Sequence, residues 1–187
     1  MVKKKACVFI SGTGTNLRAL INSSRSYNFP ININLVISNK KNAKGLLLAK
    51  KFSIPFKIFN SNGFFYEKKI LKEIKDKKIS LICLAGYMKI LSKNFIKNFK
   101  GKIINIHPSL LPKYKGIDTY KRILKNKEVN AGSTVHYVNE KLDSGRIILR
   151  KSILIKNTDN EKTLKKRVQN IEYLIFSEAI RRIYLKN

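Results

Sequence analysis

The chain has 187 residues, 40 of them Lys or Arg against 11 Asp or Glu, for a formal net charge of +29, and 43% of its positions are hydrophobic. That hydrophobic share can build a core, which excludes a disordered chain, and the length suits a single domain over 1–187. No apolar run reaches the ~18 residues of a membrane span, and the apolar residues after Lys3-Lys4-Lys5 fall short of a secretory h-region of ~7–15, so the expected location is the cytoplasm.

In chain order, 5–10, 32–37, 54–59, 80–85 and 102–107 are short runs rich in Ile, Val and Phe, mostly apolar on both faces, as strands inside a parallel sheet are. Between the first four, 15–24, 43–52 and 64–77 carry apolar residues at helical spacing, which gives a βαβαβ order. Stretches 132–138 and 145–155 read as two further strands joined by the turn at 139–144. Thr158-Asp159-Asn160-Glu161 then forms a capping box for a long last helix with the stripe Leu164, Val168, Ile171 and Ile175. The expected fold is α/β: an open, mostly parallel twisted sheet with helices on both faces, Rossmann-like. Cys7 and Cys83 lie in apolar runs and read as buried small hydrophobes, and with 2 His and no Cys-x-x-Cys no metal site is expected.

The basic residues are mostly Lys and are spread over the whole chain, with local concentrations at 68–78 and 121–127 on helix faces. Solvated faces account for them better than a nucleic-acid surface, so neither a specific nucleic acid nor a membrane is expected as partner. The field still draws phosphate and carboxylate ligands toward the protein.

Ligands of open α/β sheets bind beyond the carboxyl ends of the strands, so the loops there are informative. Ser11-Gly12-Thr13-Gly14-Thr15-Asn16 offers glycines and a helix start to an anion. Leu17 stands where a dinucleotide motif needs glycine, and Gly-Lys-Ser/Thr is absent, so the loop suits a single phosphate monoester or is a structural turn. Gly86-Tyr87-Met88-Lys89-Ile90-Leu91 either lines a pocket for a flat ring or packs in the core. In Asn105-Ile106-His107-Pro108-Ser109-Leu110-Leu111-Pro112, positions two apart face the same way, and Pro108 holds His107 extended at the strand end. An amide donor and an imidazole then stand side by side, while His136 reads as structural or as a support behind the site. Asn139-Glu140-Lys141-Leu142-Asp143-Ser144-Gly145 brings Asp143 to the same rim. Asp before Ser-Gly forms turns; beside His107 it would also raise the imidazole pKa and fix its tautomer.

The first of these loops with Leu17, Leu84-Ala85 with the second, the third, and Val135-His136-Tyr137-Val138 with Leu142-Asp143-Ser144-Gly145 together resemble the motifs of the phosphoribosylglycinamide formyltransferase family. These are folate-dependent enzymes of purine synthesis, and the resemblance runs in order over nearly the whole chain. It implies formyl transfer from 10-formyltetrahydrofolate, the co-substrate, to the amine of glycinamide ribonucleotide, with small molecules as partners and no metal. It also implies catalytic roles for Asn105, His107 and Asp143. Asn105 and protonated His107 would donate to the oxygen of a tetrahedral intermediate; Asp143 would orient His107, keep it charged and help move the amine proton through water.

By the same resemblance Gly14, Thr15 and Asn16 hold the substrate phosphate, and Glu172 contacts its glycinamide or ribose part. Met88, Lys89, Ile90 and Leu91, with Asn139, Glu140, Lys141 and Leu142, enclose the pterin. Glu172 lies off the helix's apolar stripe, on a face with Gln169 and Phe176. Relatives often have a phosphate-pairing Arg near 60–66, where this chain reads Asn60-Ser61-Asn62-Gly63-Phe64-Phe65-Tyr66, and Lys68 or Lys69 would substitute as a point charge. A monomer or homodimer is expected. The alternatives are another formyltransferase or a deformylase of the superfamily, or a basic nucleic-acid-binding protein.

Overall fold

The computed structural model describes residues 2–59 and 64–185. Strands β1 (Lys4–Ile10), β2 (Ile31–Ser38), β3 (Phe56–Ile58), β4 (Leu81–Leu84), β5 (Lys102–His107), β6 (Asn130–Tyr137) and β7 (Ile147–Leu154) form one sheet in the order β3-β2-β1-β4-β5-β6-β7. β3 to β5 run parallel, and β6 and β7 pair antiparallel beyond them. The helices are α1 (Thr15–Ser24), α2 (Gly45–Lys51), α3 (Phe64–Asp76), α4 (Lys93–Asn98), α5 (Thr119–Lys125) and α6 (Glu161–Tyr184). This is the α/β architecture that the apolar runs predict.

Alternation along the strands feeds a core on each face. Ala6, Val8 and Ile10 of β1 cluster with Leu17 and Leu20 of α1, Ala49 of α2 and Ile175 of α6. Cys7 and Phe9 face the other way, toward Ile70 and Ile74 of α3 and Phe95 of α4. Both faces being covered explains why β1 shows no polar alternation. The chain order reverses between β1 and β4: one half of the sheet grows outward through β2 and the other through β5. A crevice outside the carboxyl ends of the strands belongs at that reversal.

Three expectations change, and the helix expected under the basic residues at 121–127 is present. The run at 54–59 shortens to β3, and Phe56 and Ile58 stay 40% and 39% exposed because β3 is the sheet edge, with no strand beyond it among the described residues. α4 is an additional helix: it buries one apolar anchor, Phe95, too few for a helical period to show in the sequence, and it starts with Ser92 Oγ accepting from Phe95 N at 3.0 Å. α5 is short and is signalled in the sequence only by its basic face. The capping box also lies later than expected. Asn160 is the N-cap, with Oδ1 accepting from Lys162 N and Thr163 N at 3.0 Å, and Thr163 Oγ1 accepts from Asn160 N at 2.9 Å. Asp159 instead accepts from Lys156 N and pairs with Arg167. Cys7 and Cys83 are free and buried. Among the described residues no helix is long and apolar enough to cross a membrane.

Candidate active site

β5 carries Asn105 and His107 to the carboxyl end of the sheet, and antiparallel pairing places His136 of β6 directly opposite Asn105. The turn after β6 brings Asp143 back to them. Tyr137 N donates to Arg146 O at 2.9 Å across this turn, and a Cβ at Gly145 would meet Tyr137 O at 1.6 Å, so only glycine permits the close crossing. Asp143 itself takes a left-handed backbone, φ +45°, a conformation Asp tolerates better than most residues.

One carboxylate gathers the cluster. Asp143 is 9% exposed; its Oδ2 lies 3.3 Å from His107 Nδ1 and accepts from Gly116 N at 2.9 Å. Its Oδ1 accepts from Asn105 Nδ2 at 3.3 Å and lies 3.6 Å from His136 Nε2. Asn105 Nδ2 also stands 3.2 Å from His136 Nε2, while His136 Nδ1 faces Tyr137 O at 2.8 Å. His136 Nδ1 thus donates to the Tyr137 carbonyl, and its Nε2 is shared between the Asn105 amide and Asp143 Oδ1. Asn105 is oriented from two sides.

Burial works against the charge on Asp143. The His136 ring, the Gly116 N–H and His107 together outweigh it and hold the carboxyl below its ordinary value. For His107, burial is the largest influence and takes the pKa down; the Tyr114 carbonyl and Asp143 push it up, and His136 and Arg122 lower it again. The expectation that Asp143 keeps the ring charged is corrected accordingly: the carboxylate acts in the expected direction, and burial exceeds it. Both ring nitrogens nevertheless face acceptors, Nδ1 the carboxylate and Nε2 the Tyr114 carbonyl at 2.8 Å. Neutral imidazole has one N–H for two acceptors and imidazolium has two. His107 can thus take up a proton and complete a hydrogen bond without moving, and a ligand oxygen must compete with Tyr114 O for Nε2.

The glycine loop lies at the end of β1. Gly14, φ +78°, is the N-cap of α1 without a side-chain cap, which leaves first-turn N–H groups for an anion. Behind it Gly12 O accepts from Gly45 N at 3.0 Å, and a Cβ on Gly14 would come within 2.6 Å of Gly45 Cα. Thr15 is half-buried and Asn16 buried. Asn16 Nδ2 donates to Glu172 Oε2 at 2.8 Å, while Asn16 Oδ1 is buried without a partner. The face of α6 that the sequence suggests to be off the apolar stripe is in fact covered: Glu172 is 6% exposed and Phe176 0%, because α6 packs on α1 as well as on β6.

Burial raises the Glu172 pKa, and the Asn16 bond and Lys165 only partly offset it. A carboxyl whose folded pKa is raised destabilises the fold as pH climbs above its unfolded value of ~4.3. Glu172→Gln keeps an acceptor for Asn16 and loses the buried charge. It should unfold at a higher temperature than the parent at pH 7.5, with the gap closing toward pH 4; equal midpoints by circular dichroism at both pH values would refute this.

Gly86, φ +73°, turns β4 into the strip Met88, Lys89, Ile90 and Leu91. Met88 and Ile90 are exposed and Leu91 is buried, while Lys89 Nζ lies 4.5 Å over the Tyr66 ring. On the 139–145 turn Asn139 Oδ1 accepts from Lys141 N at 3.0 Å, Leu142 is exposed, and Glu140 pairs with Lys93 at 3.3 Å, joining this turn to the start of α4. An open basin of about 700 Å³ lies there, lined by Lys93, Lys115, Asn139, Glu140, Lys141 and Ser144. None of Met88, Lys89, Ile90 and Leu91 lines this basin, whose walls are polar or charged.

The sequence reading misses Tyr114, Gly116, Ser11 and Asn39 as working parts. The first two act through backbone atoms, which leave no side-chain signal; the last two are visible only as small polar residues at strand ends. Of the stretch lacking the phosphate-pairing Arg, 60–63 lie outside the described residues, and Lys68 and Lys69 are exposed on α3. Among the described residues no cluster of His, Cys, Asp or Glu is arranged to hold a metal ion.

Residues 4–180 match the formyl transferase family. Phosphoribosylglycinamide formyltransferase of Haemophilus influenzae is 42% identical over 182 residues, covering 95% of this chain and 86% of that protein. The trifunctional purine biosynthetic protein adenosine-3 of Homo sapiens is 41% identical over 184 residues; the match covers 95% of this chain and only 18% of that protein. The crystal structure of phosphoribosylglycinamide formyltransferase from Brucella melitensis superposes with a TM-score of 0.93 at 35% identity, covering 100% of this chain and 98% of that one.

Proposed function

The chain belongs to the formyl transferase family, and from that premise we propose that it is a cytoplasmic enzyme of purine synthesis that transfers the formyl group of 10-formyltetrahydrofolate to the amine of glycinamide ribonucleotide. The observation that carries this reading is the Asp143 carboxylate touching both Asn105 and His107 at the end of β5. Two strand spacings, about 10 Å, separate that point from the end of β1, where Gly14, Thr15 and Asn16 offer a phosphate site. A ribose with its glycinamide arm covers such a span.

The folate supplies the activated formyl carbon, and its pterin lies between Met88, Lys89, Ile90 and Leu91 and the 139–142 turn. The amine attacks that carbon, forming a C–N bond and leaving negative charge on the oxygen. Asn105 and His107 donate to this oxygen, His107 at the expense of its bond to Tyr114 O. Collapse breaks the bond to the donor nitrogen, which leaves with a proton while the amine gives one up. Asp143 orients His107 and helps carry that proton through water. In this reading Glu172, whose carboxylate accepts from Asn16, contacts the glycinamide or ribose part.

A spectrophotometric assay with a 10-formylfolate donor, run with and without glycinamide ribonucleotide, tests the proposal. Turnover that requires the acceptor is expected. Donor consumption without it points to a deformylase, and silence in both reactions overturns the formyl-transfer reading in favour of a role for the basic surface.

A further inference from the structure

The roles described so far leave one buried hydroxyl in the crevice unused. Ser11 is the first residue beyond β1, where the strand order reverses, and it is 6% exposed. Met88 N donates to Ser11 Oγ at 2.7 Å, and Ser11 Oγ is 2.5 Å from Asn39 Oδ1. The direction of this relay is fixed: a backbone N–H can only donate, so the hydroxyl accepts from Met88 and gives its single proton to Asn39. Asn39 is itself buried and follows the last residue of β2. One side chain thus ties the end of β1 to the end of β2 and to the loop after β4.

The two ends of this tie differ in what they carry. Ser11 leads directly into the Gly12 and Gly14 loop, whose backbone is wedged against Gly45. Met88 opens the strip assigned to the pterin, and the preceding Tyr87 ring sits edge-on to Phe9 of β1 at 5.2 Å. A shift of either loop therefore moves the other through a short, buried contact.

We propose that Ser11 is a positioning residue that couples the two substrate sites, so that the ribonucleotide raises affinity for the folate and the folate raises affinity for the ribonucleotide by the same factor. The proposal rests on the formyl-transfer reading above. A hydroxyl that merely stabilised the fold would change the thermal midpoint and leave the mutual effect of the ligands intact.

Calorimetric titration separates these cases. The probes are glycinamide ribonucleotide and 5,8-dideazafolate, which lacks a formyl group and cannot react. In the parent protein each ligand should tighten the other by about 5-fold or more, the usual lower range for coupled sites. In Ser11→Ala the factor should fall to about one, and kcat should drop by about 10-fold or more as the reacting atoms lose registration. Asn39→Ala should act in the same direction, and the double variant should be no worse than Ser11→Ala, because both changes break one relay. Asn39→Ala removes the acceptor that fixes the Ser11 hydroxyl and so loosens its hold on Met88 N; it should lower the factor in part, and it carries the test if Ser11→Ala folds poorly. A parent protein that binds both ligands without mutual effect overturns the proposal, as does a Ser11→Ala protein that keeps the parental factor. A parent protein that binds neither ligand overturns the formyl-transfer reading and the coupling with it.

Discussion

Asp143→Asn is expected to lower kcat by about 100- to 1000-fold while the protein still folds and binds glycinamide ribonucleotide. Both oxygens of Asp143 act as acceptors: Oδ2 toward Gly116 N and His107 Nδ1, Oδ1 toward Asn105 Nδ2. An amide has one acceptor and one donor group. Whichever way it is flipped, its NH₂ meets either the Gly116 N–H or the Asn105 amide, so one contact becomes a donor–donor clash. Losing the carboxylate also removes an influence that raises the His107 pKa, leaving burial less opposed and the ring less able to take up a proton.

The stability profile supplies a second readout. The folded Asp143 pKa is depressed, so its contribution is present above the unfolded value of ~3.9 and is lost as pH falls through the lower folded value. His107 is also depressed: its neutral form favours the fold above the unfolded value of ~6.5, and that stability is lost as pH falls from there toward the folded value. Asp143→Asn should remove the Asp143 share of the acid-side loss below about pH 4, leaving that of Asp159 and Glu128, and keep the loss near pH 6. Turnover at saturating substrates within a few-fold of the parent would remove Asp143 from the chemistry.

How much of this was legible in the sequence depends on what each residue uses to act. Runs such as 5–10 and 80–85 declare buried strands because both faces are covered, whereas β3 carries the same kind of residues and remains at the exposed edge. Composition cannot report how many neighbours a strand has. Glu172 shows the same limit on a helix: periodicity finds the stripe facing the sheet, but the second contact of α6 with α1 buries a face the stripe excludes. Asn105 and His107 are legible because strand geometry sends positions two apart the same way, and both do reach Asp143. The carbonyl of Tyr114 and the N–H of Gly116 hold the same cluster with groups every residue possesses, so only the path of the chain reveals them.

Asn105→Asp is expected to have the larger effect, a fall in turnover of more than about 1000-fold at pH 7.5, because it removes an oxygen-stabilising donor and disturbs Asp143 as well. The amide nitrogen it replaces lies 3.3 Å from Asp143 Oδ1. Two carboxylates at that distance in a buried site cannot both ionise, so the pair retains a proton and titrates upward as a unit. Ionising both at pH 7.5 costs about 3–5 kcal/mol, the range for an uncompensated buried charge. The sign of the pH response follows. A raised folded pKa means that the folded variant binds protons its unfolded chain has already released, so acidification from pH 7.5 to 5 stabilises it. Over that interval His107, which disfavours protonation in the fold, and Glu172, which favours it, act in opposite directions, and both are common to the parent and the variant. Denaturant unfolding at pH 5 and 7.5 should therefore show the variant gaining stability on acidification relative to the parent. Parallel slopes would mean that the carboxylate introduced at position 105 escapes to solvent, and that Asn105 is not held against Asp143.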